Sequence, residues 1–484
     1  MKRVTPDTYE RPLIVPRGLL APDSQWVDGR CVRPVAVEPA IDGVPVQAIR
    51  ARFGSPVYVV SEAGLRRNYR VMAAAFRSRY PDTVIAYSYK TNYVPGIVRV
   101  FHQEGAHAEV VSGFEMELAR HLGVPGKQIV YNGPHKPIEA LRQAIALGAR
   151  INVDSLEELS DIQELARSAS RRVKVGIRVN MRLNDPPWDR FGFNLESGQA
   201  LDACRRVHAS PHLSLSGFHL HAGTYLAQVE IYARAVAGLL ELAKAAEAQG
   251  CGPIEYLDLG GGYASRNTLL GQLLPGDLTT PGFDQYAEAI CRPLKTGLRG
   301  LRGRPTLILE PGRALVDEPV SLLVSVVSVK TMLGERKGVV VDGGVNLLST
   351  AYYFRHAVSA GQEPDGPVET ADLLGPLCMQ IDVLRRDIPL PSLQRGAILL
   401  IKHAGAYTIS NSMQFIYPRP PVVMVSQGQL HLLRRGERTE DLIRLDEIPT
   451  HLRSARPPAG CAVRTEVSRN GNGRNGNSRN GHGP

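Results

Sequence analysis

The 484-residue sequence is poor in several residues and patterns that would mark particular protein classes. It has only two tryptophans and six cysteines, and no Cys-x-x-Cys pair. A disulfide framework and a thiolate zinc site are therefore both poorly supported. No run reaches the roughly 18 uncharged apolar residues of a membrane helix. The N-terminal residues also lack an apolar stretch of signal-peptide length. These absences predict a soluble cytoplasmic protein with no metal site and no membrane contact.

The net charge of +10 at pH 7 is concentrated at the C-terminal end. From Arg453 onward there are six arginines against one acid, Glu466, within repeated Arg-Asn-Gly units. A segment with so little apolar content cannot offset its ordering entropy, so residues 451–484 are predicted to be a disordered basic tail. Binding of RNA or an acidic partner by this tail stays open, but nucleic acid is not an expected partner of the folded part.

Residues 55–316 alternate between short β-rich runs and stretches of helical periodicity, with about nine such runs. Strands that alternate with helices pair in parallel, and this length and count favour a TIM-type (β/α)8 barrel in an α/β protein. Residues 317–450 read as strands without intervening helices, which predicts a second, mostly β domain of a Greek-key-like β-barrel type. The segment 1–54 is expected to pack with that β domain.

Lys90 ends the apolar run AYSYK, and functional residues of such barrels cluster at the carboxyl ends of the strands. Desolvation there would lower its pKa and leave a free amine able to form a Schiff base. The alternative is a strand-end lysine that merely extends its amine to solvent.

His219 and His221 alternate along one strand, so both side chains point to the same face. No third ligand stands at a spacing that would complete a metal site. The pair is either structural, or one flat imidazole stacks on an aromatic cofactor.

Two later strand ends offer groups for an anion and for a ring nitrogen. The triplet Gly260, Gly261 and Gly262 leaves backbone N–H groups free for a phosphate, although it could also be a tight turn. In the motif EPGR, Glu310 could hold a protonated ring nitrogen, and Arg313 could reach a phosphate or a substrate carboxylate.

The motifs GPLC and AGAY place Cys378 and Tyr407 in the β domain, where either could simply be core packing. Taken together, a strand-end lysine, a stacking histidine, a phosphate loop and a glutamate for a ring nitrogen describe one ligand, pyridoxal 5'-phosphate.

The order of these motifs resembles the barrel-type (alanine-racemase-like, fold type III) pyridoxal-phosphate decarboxylases, in particular the diaminopimelate and ornithine decarboxylase group. The similarity runs from about Gly54 to about Val425. It is carried by AYSYKTN, AEVVSGFEMELA, NVDSLEEL, GIRVN, RFGF, GFHLHAGT, LDLGGG, EPGR, VDGGVN, GPLC and AGAY.

The resemblance implies a role for each matching position. Lys90 would hold the cofactor covalently, His221 would stack on its ring, and Glu310 would keep the ring nitrogen protonated. Cys378 would protonate the product. The phosphate would be bound by Gly260, Gly261, Gly262, Gly312 and Arg313, with Thr224 replacing the usual serine and Tyr407 contacting the cofactor. In this group the cysteine and tyrosine motifs complete the partner subunit's site or its edge, which implies a homodimer with shared active sites.

Two departures from the group concern the substrate pocket, for which Arg313, Thr350, Tyr353 and Met379 are the candidates. Met379 stands where diaminopimelate decarboxylases have a glutamate for the distal amino group, and Thr350 stands where they have an arginine for the distal carboxylate. An unmet polar group in that pocket would cost about 1–3 kcal/mol, and more if charged.

These departures favour a carboxy-lyase acting on another amino acid or amino-acid conjugate, in specialised metabolism of a siderophore or antibiotic kind. The alternatives are a diaminopimelate decarboxylase making L-lysine with distal contacts from Arg355, Gln380 or Arg419, and a non-catalytic cofactor-binding protein. A racemase is disfavoured because the resemblance gives those enzymes an arginine where Glu310 stands.

Overall fold

The computed structural model describes residues 25–27, 30–32, 35–363 and 366–453. The predicted basic tail lies outside the described residues from position 454 onward. The barrel and the β domain belong to one compact unit that ends at Glu437, and a second unit starts at Arg438. The last β strand is Gln429–Arg434, and the second unit contains a short helix, Thr439–Ile443.

Eight parallel strands form a closed barrel, which confirms the predicted TIM-type fold. Each strand pairs with the next along the chain, and the eighth pairs with the first through Leu307–Leu309 and Thr83–Ile85. The barrel strands are Thr83–Ser88, His107–Val110, Ile129–Tyr131, Arg150–Val153, Val173–Asn180, Leu213–His219, Tyr256–Asp258 and Thr306–Leu309.

Amphipathic helices surround this barrel. The helix that precedes the first strand shows why: its buried residues Leu65, Tyr69, Met72 and Phe76 recur three or four positions apart, so they form one apolar face. The main helices of the barrel are Glu62–Arg77, Pro95–Gln103, Gly113–His121, Ile138–Leu147, Leu156–Ser168, Gln199–Ala209, Glu230–Ala248 and Phe283–Gly297. Two single-turn helices, Gly276–Thr279 and Arg313–Val316, lie in the connections.

The second domain is a ten-stranded, mostly antiparallel sheet, as predicted. Its apolar face covers a core that includes Val59, Leu323, Leu400 and Val423. The strands are Ala36–Val37, Val57–Ser61, Val320–Thr331, Lys337–Val341, Val358–Ala360, Val368–Leu374, Val383–Pro391, Ile398–Ile401, Val422–Ser426 and Gln429–Arg434.

One predicted barrel strand belongs to this sheet instead. Val57–Ser61 pairs antiparallel with the start of Val320–Thr331 and parallel with Val422–Ser426. The run VYVV has the same β-branched, fully buried character in either setting, so its local pattern does not reveal its partners. Nine predicted runs thus become eight barrel strands, and the chain enters the barrel only after the helix Glu62–Arg77.

Several short elements complete the described chain. They are the strands Gln25–Val27, Arg30–Val32, Ala40–Ile41, Val44–Pro45, Phe193–Asn194, Thr268–Leu269 and Phe354–Arg355, and the helix Val46–Phe53. No helix among the described residues is long and apolar enough to cross a bilayer.

Candidate active site

A cavity of about 280 Å³ opens at the carboxyl ends of the barrel strands. Parallel strands deliver their strand-end residues to one rim of the barrel, so residues far apart in sequence meet there. The cavity is lined by Ser88, Lys90, Thr91, Trp188, His221, Thr224, Tyr225, Gly261, Gly262, Tyr263, Glu310, Gly312, Arg313 and Tyr407.

Lys90 reaches this cavity from a single 3₁₀ turn, Tyr89–Thr91, directly after the first barrel strand. Its Nζ lies 2.7 Å from Oε2 of Glu109, which ends the neighbouring strand and is 1% exposed. Glu109 also accepts hydrogen bonds from the Ser88 hydroxyl at 2.5 Å and from the Asn132 amide at 3.1 Å. The lysine amine is therefore held in one place, with 39% of its side chain open to the cavity.

The charge state of Lys90 differs from the prediction. Burial does lower its pKa, but the carboxylates of Glu109 and Glu310, together with Tyr407, outweigh burial and raise the pKa above its usual value. The sequence argument considered desolvation alone and had no means of placing a carboxylate beside the amine. In the cofactor-free chain the lysine is an ammonium in an ion pair.

His219, the last residue of the sixth strand, and His221, two residues beyond it, have separate environments. His219 is fully buried, with Nε2 3.3 Å from Oε2 of Glu310. His221 lies in the cavity wall, and its Nδ1 accepts the N–H of Gly261 at 3.1 Å. Burial, with help from Lys90 and Arg178, lowers the pKa of His221 to about 3, so the ring is neutral at physiological pH. A neutral, flat ring suits stacking on an aromatic ligand.

Beneath the cavity, His219, Asp258 and Glu310 lie close enough that their ligand atoms fall within 4.8 Å of one another. The two carboxyl groups lie close enough for each to change the pKa of the other. Burial and Glu310 raise the pKa of Asp258 far above its usual value. Burial opposes ionisation of Glu310, but His219, the Asp258 hydrogen bond and Lys90 hold its pKa well below its usual range. These opposite pKa shifts favour a neutral Asp258 beside an ionised Glu310.

The ionised Glu310 is fixed further by the amide of Asn132, which donates to its Oε1 at 2.6 Å. Asn132 in turn accepts a hydrogen bond from Asn152 at 2.8 Å. These contacts come from two other barrel strands or their ends, so Glu310 is held in one orientation.

The glycine loops form the opposite wall. Gly260 and Gly262 have positive φ angles of 63° and 95°, which favour glycine. A Cβ on Gly261 would lie 2.5 Å from the Glu310 carbonyl oxygen, and one on Gly312 would lie 2.0 Å from Thr91 Oγ1. Gly260 itself is not among the lining residues; its N–H donates to Asp258 at 2.9 Å. Glycine is therefore needed at positions 261 and 312 because a side chain there would collide with neighbouring protein atoms, and Gly261, Gly262 and Gly312 line the cavity. The N–H groups of Gly260 and Gly261 donate to Asp258 and His221, contrary to the prediction that the triplet leaves its N–H groups free.

Arg313 supplies the cation of this wall. Its guanidinium carbon lies 4.8 Å from the centre of the Phe354 ring and 5.1 Å from that of Tyr407, between two aromatic side chains. Its Nη1 is buried and has no hydrogen-bond partner within the described part of the chain. A buried guanidinium nitrogen without a hydrogen bond is suited to an oxyanion.

Asp317 was not identified from the sequence, yet it organises this wall. Its Oδ2 lies 3.9 Å from Arg313 Nη1 and accepts the Ser265 hydroxyl at 2.5 Å, while Oδ1 accepts the N–H of Ala406 at 3.2 Å. Burial raises the pKa of Asp317 to about 6 despite Arg313. One side chain thus ties the EPGR helix to the AGAY turn.

Tyr407 lines the cavity of its own chain, anchored by its N–H to the Thr91 carbonyl at 2.9 Å. The resemblance assigns Tyr407 and Cys378 together to the partner subunit's site or its edge. In the structure, only Tyr407 lines the cavity of its own chain. Cys378 is exposed and is not among the lining residues.

Of the residues predicted for the substrate pocket, only Arg313 lines the Lys90 cavity. Thr350, Tyr353 and Met379 are not among its lining residues. Thr350 is buried and its Oγ1 lies 2.9 Å from Nε2 of His356. Tyr353 is 60% exposed, and Met379 is half-buried against the main core.

Trp188 is a lining residue that the sequence argument missed. It lies in the segment between the fifth strand and Phe193–Asn194, and its ring centre is 6.1 Å from that of His221, edge toward face. The signal available in the sequence was a lone tryptophan in a Pro-Pro-Trp turn after a barrel strand.

A family model for the pyridoxal-binding domain of pyridoxal-dependent decarboxylases matches residues 65–317, more than half of the chain. The chain therefore belongs to the pyridoxal-dependent decarboxylases, and it is a carboxy-lyase that uses pyridoxal phosphate.

Within this family, the chain is similar to several diaminopimelate decarboxylases. The chain is 31% identical over 430 residues to the diaminopimelate decarboxylase of Methanocaldococcus jannaschii, covering 85% of this chain and 95% of that protein. It is 33% identical over 421 residues to that of Actinosynnema pretiosum, covering 84% and 91%. The solved structure of the M. jannaschii enzyme covers 89% of this chain and 99% of its own, with a TM-score of 0.79 at 30% identity.

The residues present fit pyridoxal phosphate. Lys90 offers an amine, the neutral His221 offers a flat ring, and the ionised Glu310 offers an acceptor for a protonated ring nitrogen. Arg313 Nη1, which makes no hydrogen bond in the described residues, and the glycines that line the cavity offer a phosphate site. All of these groups line the one cavity, so a single ligand can meet them together.

Proposed function

We propose that this chain removes the α-carboxylate of an amino acid bound in the Lys90 cavity, and that the substrate is meso-diaminopimelate with L-lysine as product. The observation that carries the site is the convergence of Lys90, a neutral His221, an ionised Glu310 and Arg313 on one cavity of about 280 Å³. The substrate rests on the relatives, which bear the name diaminopimelate decarboxylase across most of both chains.

Bound pyridoxal phosphate supplies an electron-withdrawing ring that accepts the electron pair left when the carboxylate departs as CO2. Glu310, whose pKa is held low, would supply the anion that keeps the ring nitrogen protonated. Lys90 would hold the cofactor, and Glu109 would position the lysine amine, whose Nζ lies 2.7 Å from Oε2. Arg313 and the glycine loops would hold the phosphate, and His221 would stack on the ring.

A second candidate substrate, an amino acid or conjugate with an uncharged distal end, is favoured by the groups at positions 350 and 379. Thr350 uses its hydroxyl on His356, and Met379 carries no charge. Neither Arg355 nor Arg419 is among the residues that line the Lys90 cavity, so neither offers a distal carboxylate its partner there. Arg355 donates to the Gln272 carbonyl and lines a different cavity, and Arg419 pairs with Glu437 at 3.0 Å.

We also propose that the protein is a homodimer in which Cys378 serves the partner's cavity. Cys378 is exposed, and the nearby Ile381, Tyr352 and Tyr353 are exposed as well. An exposed apolar surface of this kind is typical of a protein interface, and a thiol at an interface between two copies could reach the other copy's cavity.

The first experiment records the absorbance of the purified protein with added pyridoxal phosphate, before and after borohydride, beside Lys90→Ala. We expect a band at about 420 nm that borohydride removes and that the variant lacks, because only a free lysine amine can bond the cofactor carbonyl. Lys127→Ala, an exposed-surface change outside the cavity, is the matched control and should keep the band. An unbonded cofactor in the unaltered protein would contradict the proposal.

CO2 release from meso-diaminopimelate, ornithine, lysine and larger uncharged amino acids then decides the substrate. Lysine formed from diaminopimelate with the highest kcat/KM supports the first proposal. Release only from a substrate with an uncharged distal end would replace it by the second. No CO2 from any of them, with the 420 nm band intact, would overturn the decarboxylase role of the site.

A further inference from the structure

A second cavity, of about 500 Å³, lies between the barrel connection at Arg266–Asp277 and the β domain. It shares no lining residue with the Lys90 cavity, and its volume is typical of small-molecule sites. Its lining residues include Arg266, Arg355, Arg385 and His403.

The charges around this cavity are unbalanced. Three guanidinium groups line it, and the only carboxylate among the described lining residues is that of Asp277. Burial lowers the pKa of His403 to about 4, so its ring is neutral and neither adds to nor offsets this charge. A concave surface lined by one sign of charge concentrates the opposite ion.

Arg355 and Arg385 have no carboxylate partner within the described part of the chain. Arg385 Nη1 donates to the His356 carbonyl at 2.5 Å, and Arg355 Nη2 donates to the Gln272 carbonyl. The Nε atoms of both side chains, and Nδ1 of His403, are buried without a hydrogen-bond partner in the same described residues. Burial and then the charge of Arg355 lower the pKa of Arg385, so the two guanidinium groups repel each other.

Two half-buried arginines that share a cavity and lack an anion are an unfavourable arrangement in an isolated chain. A charge withdrawn from water is ordinarily paired, because an unpaired charge there is unfavourable. The planar fork of each guanidinium matches the oxygens of a phosphate or a carboxylate. An anion bridging the two would offset their repulsion and satisfy donors that the protein leaves over.

We propose that the cavity at Arg266, Arg355 and Arg385 binds a small, multiply charged anion, a phosphate or a carboxylate, independently of the decarboxylase site. The inference does not depend on the proposed substrate, because none of these three side chains touches the Lys90 cavity.

The test is isothermal titration of the full chain, saturated with pyridoxal phosphate so that the Arg313 wall is already filled, at fixed ionic strength. The probes are inorganic phosphate and succinate, with chloride as the monovalent comparison. We expect saturable binding of at least one of the two. Arg355→Gln and Arg385→Gln are each expected to weaken it at least tenfold, because each removes a charge-assisted contact.

Two further variants keep the test decisive if a half-buried change disturbs folding. Arg266→Gln removes an exposed side chain whose only ion pair in the described residues is the long one to Glu318 at 3.9 Å, and it should also weaken binding. Arg292→Gln removes an equal charge from the exposed side of the helix Phe283–Gly297 and should leave the dissociation constant within twofold.

Phosphate alone, succinate alone or both binding at the arginines supports the site and identifies the anion it prefers. No saturable binding by either probe overturns the proposal. So does binding that Arg266→Gln and Arg385→Gln leave unchanged, or that Arg292→Gln weakens equally, since charge in general would then explain it.

Discussion

At the scale of single residues, the charge beside the cavity depends on which of two buried carboxyl groups holds a proton. Asp258 and Glu310 are both buried carboxyl groups in contact with each other, and the structure assigns the proton to Asp258. The two carboxyl groups have different neighbours. Nε2 of His219 lies 3.3 Å from Oε2 of Glu310, and the Asn132 amide donates to Oε1 of Glu310 at 2.6 Å, whereas Oδ2 of Asp258 has no hydrogen-bond partner in the described residues. Asp258 acts through Glu310, as a positioning residue.

This assignment gives a paired prediction. In Asp258→Asn, the amide can still accept from the Gly260 N–H and donate to Glu310, so kcat should fall less than tenfold. In Glu310→Gln the anion facing the ring nitrogen is lost, and kcat should fall on the order of 100-fold or more. Steady-state kinetics with the 420 nm band as a cofactor readout checks both. Equal losses in the two variants would show that Asp258 carries the charge.

The sequence predicts which residues meet at the cavity, because the fold class brings the carboxyl ends of the barrel strands to one rim. Lys90, His221, Glu310 and Arg313 each follow an apolar run, and all four line the cavity. What could not be read was which side chains face one another across strands. The ion pair that raises the Lys90 pKa joins two neighbouring strand ends, and no spacing in the sequence encodes that distance.

At the scale of elements, two barrel helices begin in the same way. Ser112 accepts the N–H of Glu115, and Ser155 accepts that of Glu158, in the Ser-x-x-Glu pattern of a capped helix. Each glutamate returns to accept a backbone N–H, Val111 or Asp154, at 2.6 Å.

The two caps differ in their neighbours. Glu158 meets the buried amine of Lys136 at 2.5 Å. Glu115 has no such contact among the described residues and faces Glu109. Burial and then Glu109 raise its pKa to about 7.

A carboxyl whose pKa is higher in the folded chain than in the unfolded chain stabilises the fold most at low pH. Between the unfolded value near 4.5 and about 7, the unfolded chain has lost its proton and the folded chain has kept it. The free energy of unfolding therefore falls as pH rises, by roughly 3 kcal/mol at most across this window.

Glu115→Gln keeps the acceptor for the Val111 N–H but has no proton to lose. From pH 4.5 to 7, the free energy of unfolding of the variant should therefore rise relative to that of the unaltered chain. Urea midpoints of the cofactor-free chain at several pH values measure this. Glu117→Gln, on the exposed side of the same helix, is the control and should show no rise with pH. A flat difference for Glu115→Gln would mean that the carboxyl is ionised throughout.

The strands also show what a local sequence pattern cannot predict, namely which sheet a strand joins. The alternation of runs and helices predicted a barrel and a β domain, and both exist. The run at Val57–Ser61 was assigned to the barrel because a helix follows it, yet its hydrogen bonds go to Val320–Thr331 and Val422–Ser426, more than 250 residues away. Strand identity is a local property, whereas sheet membership is decided by long-range pairing.

At the scale of the whole molecule, the single chain accounts for the cofactor groups but not for the predicted proton donor. Tyr407 and Arg313 come from the chain's own β domain and barrel, and they meet at 5.1 Å. Cys378 lies on the exposed surface of the β domain and is not among the residues that line the cavity. A second copy is the simplest source of a thiol for this cavity, given that most soluble oligomers are two-fold symmetric.

Shared sites make a specific prediction for mixed protomers. Lys90→Ala and Cys378→Ala should each be nearly inactive alone, because every site in either homodimer lacks one of the two groups. When the two variants are unfolded together and refolded in equal amounts, half of the dimers contain one copy of each. Such a dimer has one site with both residues and one with neither, so the mixture should recover about a quarter of the unaltered activity.

Cys378→Ser mixed with Cys378→Ala is the matched control and should show no recovery, since every site in that mixture lacks the thiol. If Lys90→Ala and Cys378→Ala regain nothing on mixing while the protein is dimeric by light scattering, the cysteine and the lysine serve the same chain, and Cys378 must reach the Lys90 cavity by a movement of its own domain. Recovery in the first mixture alone would place the complete site across two chains, and it would explain why one chain leaves its thiol exposed.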